Sequence, residues 1–166
     1  MKSIEKIANG MVVIAVVVFL AMAAHYLFHK SSQAKSIAAM ADALRGKTIE
    51  APGLSFLRER ASVLQAISTQ CHYCEESLPF YRDLAAKAQG KVDVIAVMPQ
   101  PLAEAQAFLQ KSSFSPTGVV FGNLSAIGVP ATPTILFVDP HGKVLEAWIG
   151  FQDAVGRQKV LARVLQ

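Results

Sequence analysis

The sequence predicts an α/β domain, a central mixed β-sheet flanked by helices, preceded by one N-terminal transmembrane helix. Three observations lead there. The run Ile7 to Phe28 is apolar except at Asn9, Gly10 and His25. Further along, apolar stretches of strand length alternate with amphipathic helical stretches and close in a hairpin pattern, which favours a mixed sheet with helices on both faces. Between one such strand and one such helix lie the only two cysteines, Cys71 and Cys74, in a C-x-x-C spacing.

The bulk numbers bound what this chain can be. Its 166 residues suffice for one domain plus an appendage. A content of 52% hydrophobic against 17% charged residues is too apolar for a purely soluble domain, and the excess sits at the N-terminus. The formal charge of +4 falls to +2 when Lys2, Lys6, Lys30 and Glu5 are set aside with residues 1–30. The remaining basic residues are scattered, without a basic run interleaved with aromatics, so no nucleic-acid surface is expected.

At about 1.5 Å per residue, Ile7 to Phe28 can cross the ~30 Å hydrocarbon layer. Lys2 and Lys6 precede it; Tyr26 and Lys30 lie at its far end, where such residues favour the membrane interface. A cleaved signal would use the small residues Ala21-Met22-Ala23. The apolar run continues past that site and no cysteine follows to take a lipid, which favours an uncleaved anchor. Lys2 and Lys6 on one side balance Lys30 and Lys35 on the other, so the positive-inside rule decides little. A short N-terminal tail favours keeping that tail in the cytoplasm and exporting the rest.

The expected organisation is an anchor over residues 1–30, a helical stalk over 31–46 and the domain over 47–166. Ser31 to Leu44 is alanine-rich and helix-compatible, with Gly46 as a stop. Lys47 to Glu50 reads as a short strand and Pro52-Gly53 as a turn. Ala61 to Thr69 reads as a buried strand. The helix that follows, over Glu75 to Ala88, carries Leu78, Tyr81, Ala85 and Ala88 on one side, with a kink expected at Pro79. Val92 to Met98 reads as a second strand. Leu102 to Gln110 reads as a helix with Ala103, Ala107 and Leu109 apolar. Val119 to Phe121 is a short strand, and Asn123 to Ile127 a helical turn ended by Gly128. Thr134 to Val138 and Val144 to Ile149 form a hairpin about Asp139-Pro140-His141-Gly142. Gln152 to Leu165 is a last amphipathic helix, apolar at Val155, Val160, Leu161, Val164 and Leu165.

A strand that ends in C-x-x-C and turns into a helix is the layout of a redox dithiol. The thiolate is the reactive form, and a free thiol with pKa near ~8.5 is mostly protonated at neutral pH. A cysteine at a helix N-terminus faces unpaired N–H groups and the positive dipole end, which favour the anion. Cys71 takes that position and is the expected attacking thiol; Cys74, one turn on and more buried, is the expected resolving one. His72, when cationic, lowers the thiol pKa further, whereas Glu75 and Glu76 oppose it. The loop that the two cysteines close is too short to staple the chain, and a structural zinc site takes four ligands.

From these residues the chain resembles the thioredoxin superfamily, above all its exported, often membrane-anchored redoxins of the TlpA-like and Dsb-like kind. The resemblance covers about Lys47 to Gln166. Its second motif is Gly128-Val129-Pro130-Ala131-Thr132-Pro133-Thr134 before a strong strand, similar to the family's cis-proline loop. It implies a thioredoxin-like fold, with Pro133 as the cis-proline, Pro130 its rival, and Thr132 the preceding residue whose backbone pairs with substrate. His72 and Tyr73 would modulate the dithiol; Tyr in that slot is more like disulfide isomerases and glutaredoxins. The chain departs from the family where Gln70 replaces the usual Trp before the first cysteine, and where Gln65 stands in place of a buried acid.

The implied activity is thiol–disulfide exchange with protein thiols and disulfides, without a cofactor or metal, on the periplasmic or extracytoplasmic side of the inner membrane, in concert with an unidentified redox partner. Two other classes stand beside it. Cys71, His72 and Cys74 could hold a soft ion such as copper for delivery, though adjacent Cys-His spacing is poor for one chelate. A non-catalytic interaction module would keep the fold alone. Within the redox class, a thiol peroxidase would need an acid–base environment that no residue pattern here supplies.

Overall fold

The computed structural model describes residues 2–50 and 60–166, with side chains from residue 14 onward and at residue 11. The turn expected at Pro52-Gly53 lies outside the described residues. The elements are α1 (Lys2–Leu44), β1 (Ser62–Ala66), α2 (His72–Ala88), β2 (Asp93–Met98), α3 (Leu102–Lys111), β3 (Gly118–Phe121), a 3₁₀ turn (Leu124–Ile127), β4 (Thr134–Val138), β5 (Val144–Ile149) and α4 (Ala154–Val164).

Two compact units divide the chain, residues 1–39 and residues 40–166. The first is helix throughout its described length. From Ile14 the helix is long and apolar enough to cross a membrane, and none of its apolar window is buried by protein. Phe19, Met22, Tyr26 and Phe28 are all largely exposed. Among the described residues of that unit nothing buries these side chains, as lipid would.

The second unit is a five-stranded sheet in the order β3-β2-β1-β4-β5. β1 runs parallel to β2, and β2 to β3; β4 is antiparallel to both β1 and β5. The pleat sorts the side chains by parity. Val63, Ile67, Val94, Ala96, Met98, Ile135 and Phe137 point to one face, where α2, α3 and α4 bury Leu78, Tyr81, Leu84, Ala105, Leu109, Val160 and Val164. Leu64, Ala66, Ile95, Val97, Leu136 and Val138 point to the other, which Ala41 and Leu44 of the last turn of α1, Ile127 and Val129 cover. Both faces of β1, β2 and β4 are buried, which explains why these strands read as continuous apolar runs.

Several local expectations change. Ala41 and Leu44 belong to the core of the second unit, so its packing begins before residue 47. Lys47 to Glu50 is not a strand; Thr48 alone makes a bridge, to Lys143. Ile49 N–H donates to Gly142 O at 2.9 Å, and Gly142 has φ 79° with Ile49 O only 2.9 Å from where a Cβ would lie. Only glycine fits both demands. α2 starts at His72, inside the C-x-x-C, and continues through the exposed Pro79. α3 buries Ala105 and Leu109, an i,i+4 pair, while Ala103 and Ala107 are exposed. On α4, Val160 and Val164 are buried and Val155 faces solvent. In both helices the buried face follows the sheet beneath it, and on α3 it includes Ala105, which the sequence expectation does not name.

Candidate redox site

The strand order reverses at β1, and the carboxyl end of β1 is where an open α/β sheet places its ligands. After Ala66 the chain makes a short loop, Ser68 to Gln70, then enters α2. Ser68 Oγ accepts from Gln100 Nε2 at 2.8 Å and from the Gln70 backbone N–H at 3.3 Å, which ties the loop to the segment after β2. Thr69 Oγ1 donates to Glu104 Oε1 of α3 at 2.5 Å.

Cys71 is the N-cap of α2 and is joined to Cys74 by a disulfide. The Cys74 backbone N–H donates to Cys71 Sγ at 3.2 Å as well as to Cys71 O at 2.9 Å, so a backbone donor of the first helical turn is shared with that sulfur. The two sulfurs differ in access: Cys71 is half-buried, Cys74 fully buried. Between them His72 and Tyr73 face outward. His72 Nε2 lies 3.1 Å from Glu76 Oε1, one turn along the outside of α2. Tyr73 is 56% exposed, so it is a surface group rather than packing.

β4 runs antiparallel to β1, with Thr134 opposite Ala66, so the residues before Thr134 lie at the same sheet end as the dithiol. The Thr132–Pro133 peptide bond is cis. Thr132 is half-buried and Pro133 buried. Thr134 Oγ1 donates to Ala131 O at 2.7 Å, and Gly150 N–H to Pro133 O at 2.7 Å, which brace the loop from both sides.

Three residues at this end have no counterpart in the sequence expectations. Phe151 follows β5, is 41% exposed, and lies 6.1 Å ring to ring from Tyr73. The Arg157 guanidinium stacks over Phe151 at 5.1 Å and over Phe80 at 5.6 Å. Its Nε also donates to Gln152 O at 2.8 Å. Gln152 Nε2 in turn donates to Gly150 O at 2.9 Å. The signal for Phe151 was present, an aromatic just past Gly150 where the last strand ends. The stacking of Arg157 depends on where α4 docks.

Gln65 is fully buried, and neither its Oε1 nor its Nε2 has a partner among the described residues. Gln70, by contrast, is exposed. Tyr81 is buried on α2, and that burial pushes its hydroxyl well above its ordinary 10.0, against the smaller downward pulls of the Ser77 hydrogen bond and the Arg157 charge. No group of three or more His, Cys, Asp or Glu side chains gathers in a metal-holding cluster among the described residues.

This sheet, with a cysteine pair at the start of the helix after β1, is the thioredoxin-like fold. Solved structures that share it include a protein described as thiol:disulfide interchange protein DsbE from Chlorobium tepidum, at 25% identity and a TM-score of 0.58 over 73% of this chain and 94% of that one. Another is the thioredoxin domain of a thiol-disulfide oxidoreductase from Bacteroides vulgatus, at 13% identity and a TM-score of 0.59 over 74% and 98%. A third is an exposed lipoprotein thioredoxin from Streptococcus pneumoniae, at 22% identity and a TM-score of 0.55 over 66% and 89%. No protein-family model matches the chain, and no curated protein matches it.

Proposed function

We propose that the chain is a thiol–disulfide oxidoreductase, tethered by residues 1–30 to the inner membrane, with residues 31–39 as connection and the domain of residues 40–166 working on the periplasmic side. The observation that carries the activity is the unequal access of the two sulfurs, with half-buried Cys71 capping α2 and Cys74 fully buried behind it. The named functions of the structural neighbours agree with it.

In the oxidising direction a substrate thiolate attacks Cys71 Sγ. The Cys71–Cys74 bond breaks, a Cys71–substrate bond forms, and the electron pair leaves on Cys74. A second substrate thiolate then attacks the substrate sulfur of the mixed disulfide, so the substrate becomes a disulfide and Cys71 a thiolate. The reducing direction is the reverse: Cys71 thiolate opens a substrate disulfide, and Cys74 thiolate attacks Cys71 Sγ and expels the substrate thiolate, which takes up a proton. The helix-start N–H groups stabilise Cys71 as an anion in either direction. Thr132 offers its backbone to an extended substrate. Pro133, with no N–H, keeps a donor away from the sulfurs. His72 and Tyr73 flank the entry to Cys71. No cofactor enters the cycle; protein thiols and disulfides are the substrates, and a separate redox partner resets the pair.

Replacing Cys74 with Ser tests this. The Cys74→Ser chain should accumulate mixed disulfides with protein substrates, resolved on non-reducing gels, whereas Cys71→Ala alone, which keeps Cys74, should form none. Mixed disulfides trapped by Cys71→Ala and not by Cys74→Ser would reverse the assignment of roles. Stoichiometric metal retained after dialysis of the reduced protein would favour the soft-ion reading instead.

A further inference from the structure

β5 runs antiparallel to β4 and pairs Ile149 with Thr134, so the end of β5 and the start of α4 lie at the same sheet end as Cys71. There the Arg157 guanidinium is held by α2 and by the loop before α4. It stacks over Phe80 at 5.6 Å and over Phe151 at 5.1 Å, and its Nε donates to Gln152 O at 2.8 Å. A guanidinium has five N–H donors. Those on the two terminal nitrogens of Arg157 have no acceptor, and no carboxylate pairs with them, among the described residues. These nitrogens are not among the buried unpaired polar atoms, so they reach solvent. Other arginines differ: Arg45 pairs with Asp42 and Glu146, Arg60 with Asp93, and Arg82 donates to Ser112 O.

The Phe151 ring lies 6.1 Å from that of Tyr73, inside the C-x-x-C. At most about 11 Å therefore separates the guanidinium from the Tyr73 ring, the length of about three residues of extended chain. Stacking occupies the faces of the guanidinium and leaves its N–H edge open, and that edge matches the two oxygens of a carboxylate. We infer that Arg157 determines specificity: its open edge takes the side-chain carboxylate of an Asp or Glu within about three residues of the reacting cysteine of a polypeptide substrate. This rests on the oxidoreductase function above and deepens it by naming a substrate class. Tyr73 and Phe151, both exposed, pack the stem of that side chain. An arginine already held by two rings loses little freedom on binding.

The other charged groups at this end do not supply the same recognition. His72 faces Glu76 at 3.1 Å on the outside of α2, Glu104 accepts from Thr69, and Asp153 caps α4. Glu75 stands exposed in the first turn of α2. These carboxylates disfavour an acidic substrate, so a preference for one depends on Arg157.

The test uses the full Cys74→Ser chain, reduced and in detergent, with short symmetric peptide disulfides whose termini are blocked. The peptides differ only at a position about three residues from the cysteine, which carries Glu, Gln or Lys. Cys71 thiolate opens the peptide disulfide, one peptide stays on Cys71 and the other leaves as a thiolate; the second-order rate constant of that step is measured. The Glu peptide should react about fivefold faster than the Gln peptide, and the Lys peptide slowest. Arg157→Gln should bring the Glu-to-Gln ratio to one or below, and Arg157→Glu should invert the order in favour of Lys. A merely structural Arg157 moves all the peptides together and leaves their ratio unchanged; that result, or a parent without preference for Glu, would overturn the proposal. Should the variants fail to fold, the salt dependence of the parent ratio decides: recognition of charge shrinks it toward one between about 0.01 M and 1 M salt, and a ratio indifferent to salt counts against Arg157. If the parent forms no mixed disulfide with any peptide, the oxidoreductase function fails; if it reacts equally with all of them, only the role of Arg157 fails.

Discussion

Cys71 and Cys74 are three positions apart, yet they occupy different chemical worlds: one caps a helix at the surface, the other is sealed in the core. The same contrast separates Tyr73, exposed beside the dithiol, from Tyr81, buried two turns further along α2. Tyr81 makes a pH prediction. Its folded ionisation lies above the ordinary 10.0 because burial disfavours the phenolate. Above pH 10 the unfolded chain therefore releases a proton that the folded chain keeps. The stability due to neutral Tyr81 is fully present below the unfolded value and falls as pH rises beyond it, with a limiting slope of about 1.4 kcal/mol per pH unit. Urea unfolding of the parent chain between pH 9 and pH 11 should show this decline, and Tyr81→Phe should flatten it; equal slopes would sink the argument.

Among the elements, the end of α1 departs most from its sequence appearance. Ser31 to Leu44 is alanine-rich and reads as a stalk, but Ala41 and Leu44 are buried against Leu64, Leu136, Ile127 and Val129. Leu44→Ala should destabilise the second unit by about 2–5 kcal/mol, the range for a buried leucine. Chemical denaturation followed by Trp148 fluorescence would measure it, and a change below ~0.5 kcal/mol would mean that the turn only rests on the sheet. α4 is fixed at its start by Asp153, whose Oδ1 accepts from the Gly156 N–H at 2.8 Å. That cap orients Arg157 toward Phe80 and Phe151.

At the scale of the whole molecule the orientation of the proposed anchor would decide where the chemistry happens. With the short tail in the cytoplasm, a membrane-impermeant maleimide applied to intact cells after mild reduction should label Cys71. Labelling that needs lysis would place the domain on the cytoplasmic side. Physical attachment is a separate measurement: the chain should stay with membranes through alkaline carbonate extraction, whereas a cleaved signal would release the domain.

The sequence alone determined the apolar N-terminal helix, the strand–C-x-x-C–helix layout and the hairpin from Thr134 to Ile149, because each is written in neighbouring residues. Continuous apolar runs are how strands buried on two faces read, and β4 and β5 run between the residues expected. Tertiary structure decided the rest. The core role of Leu44, the exposure of Val155, Ala103 and Ala107, and the pinning of Phe151 by Arg157 all depend on which surface a helix meets. A local pattern carries no record of that surface. Gln65 shows the limit best: its identity was plain in the sequence, but its lack of partners and its place on the Cys74 face follow from the register of β1 with β2 and β4.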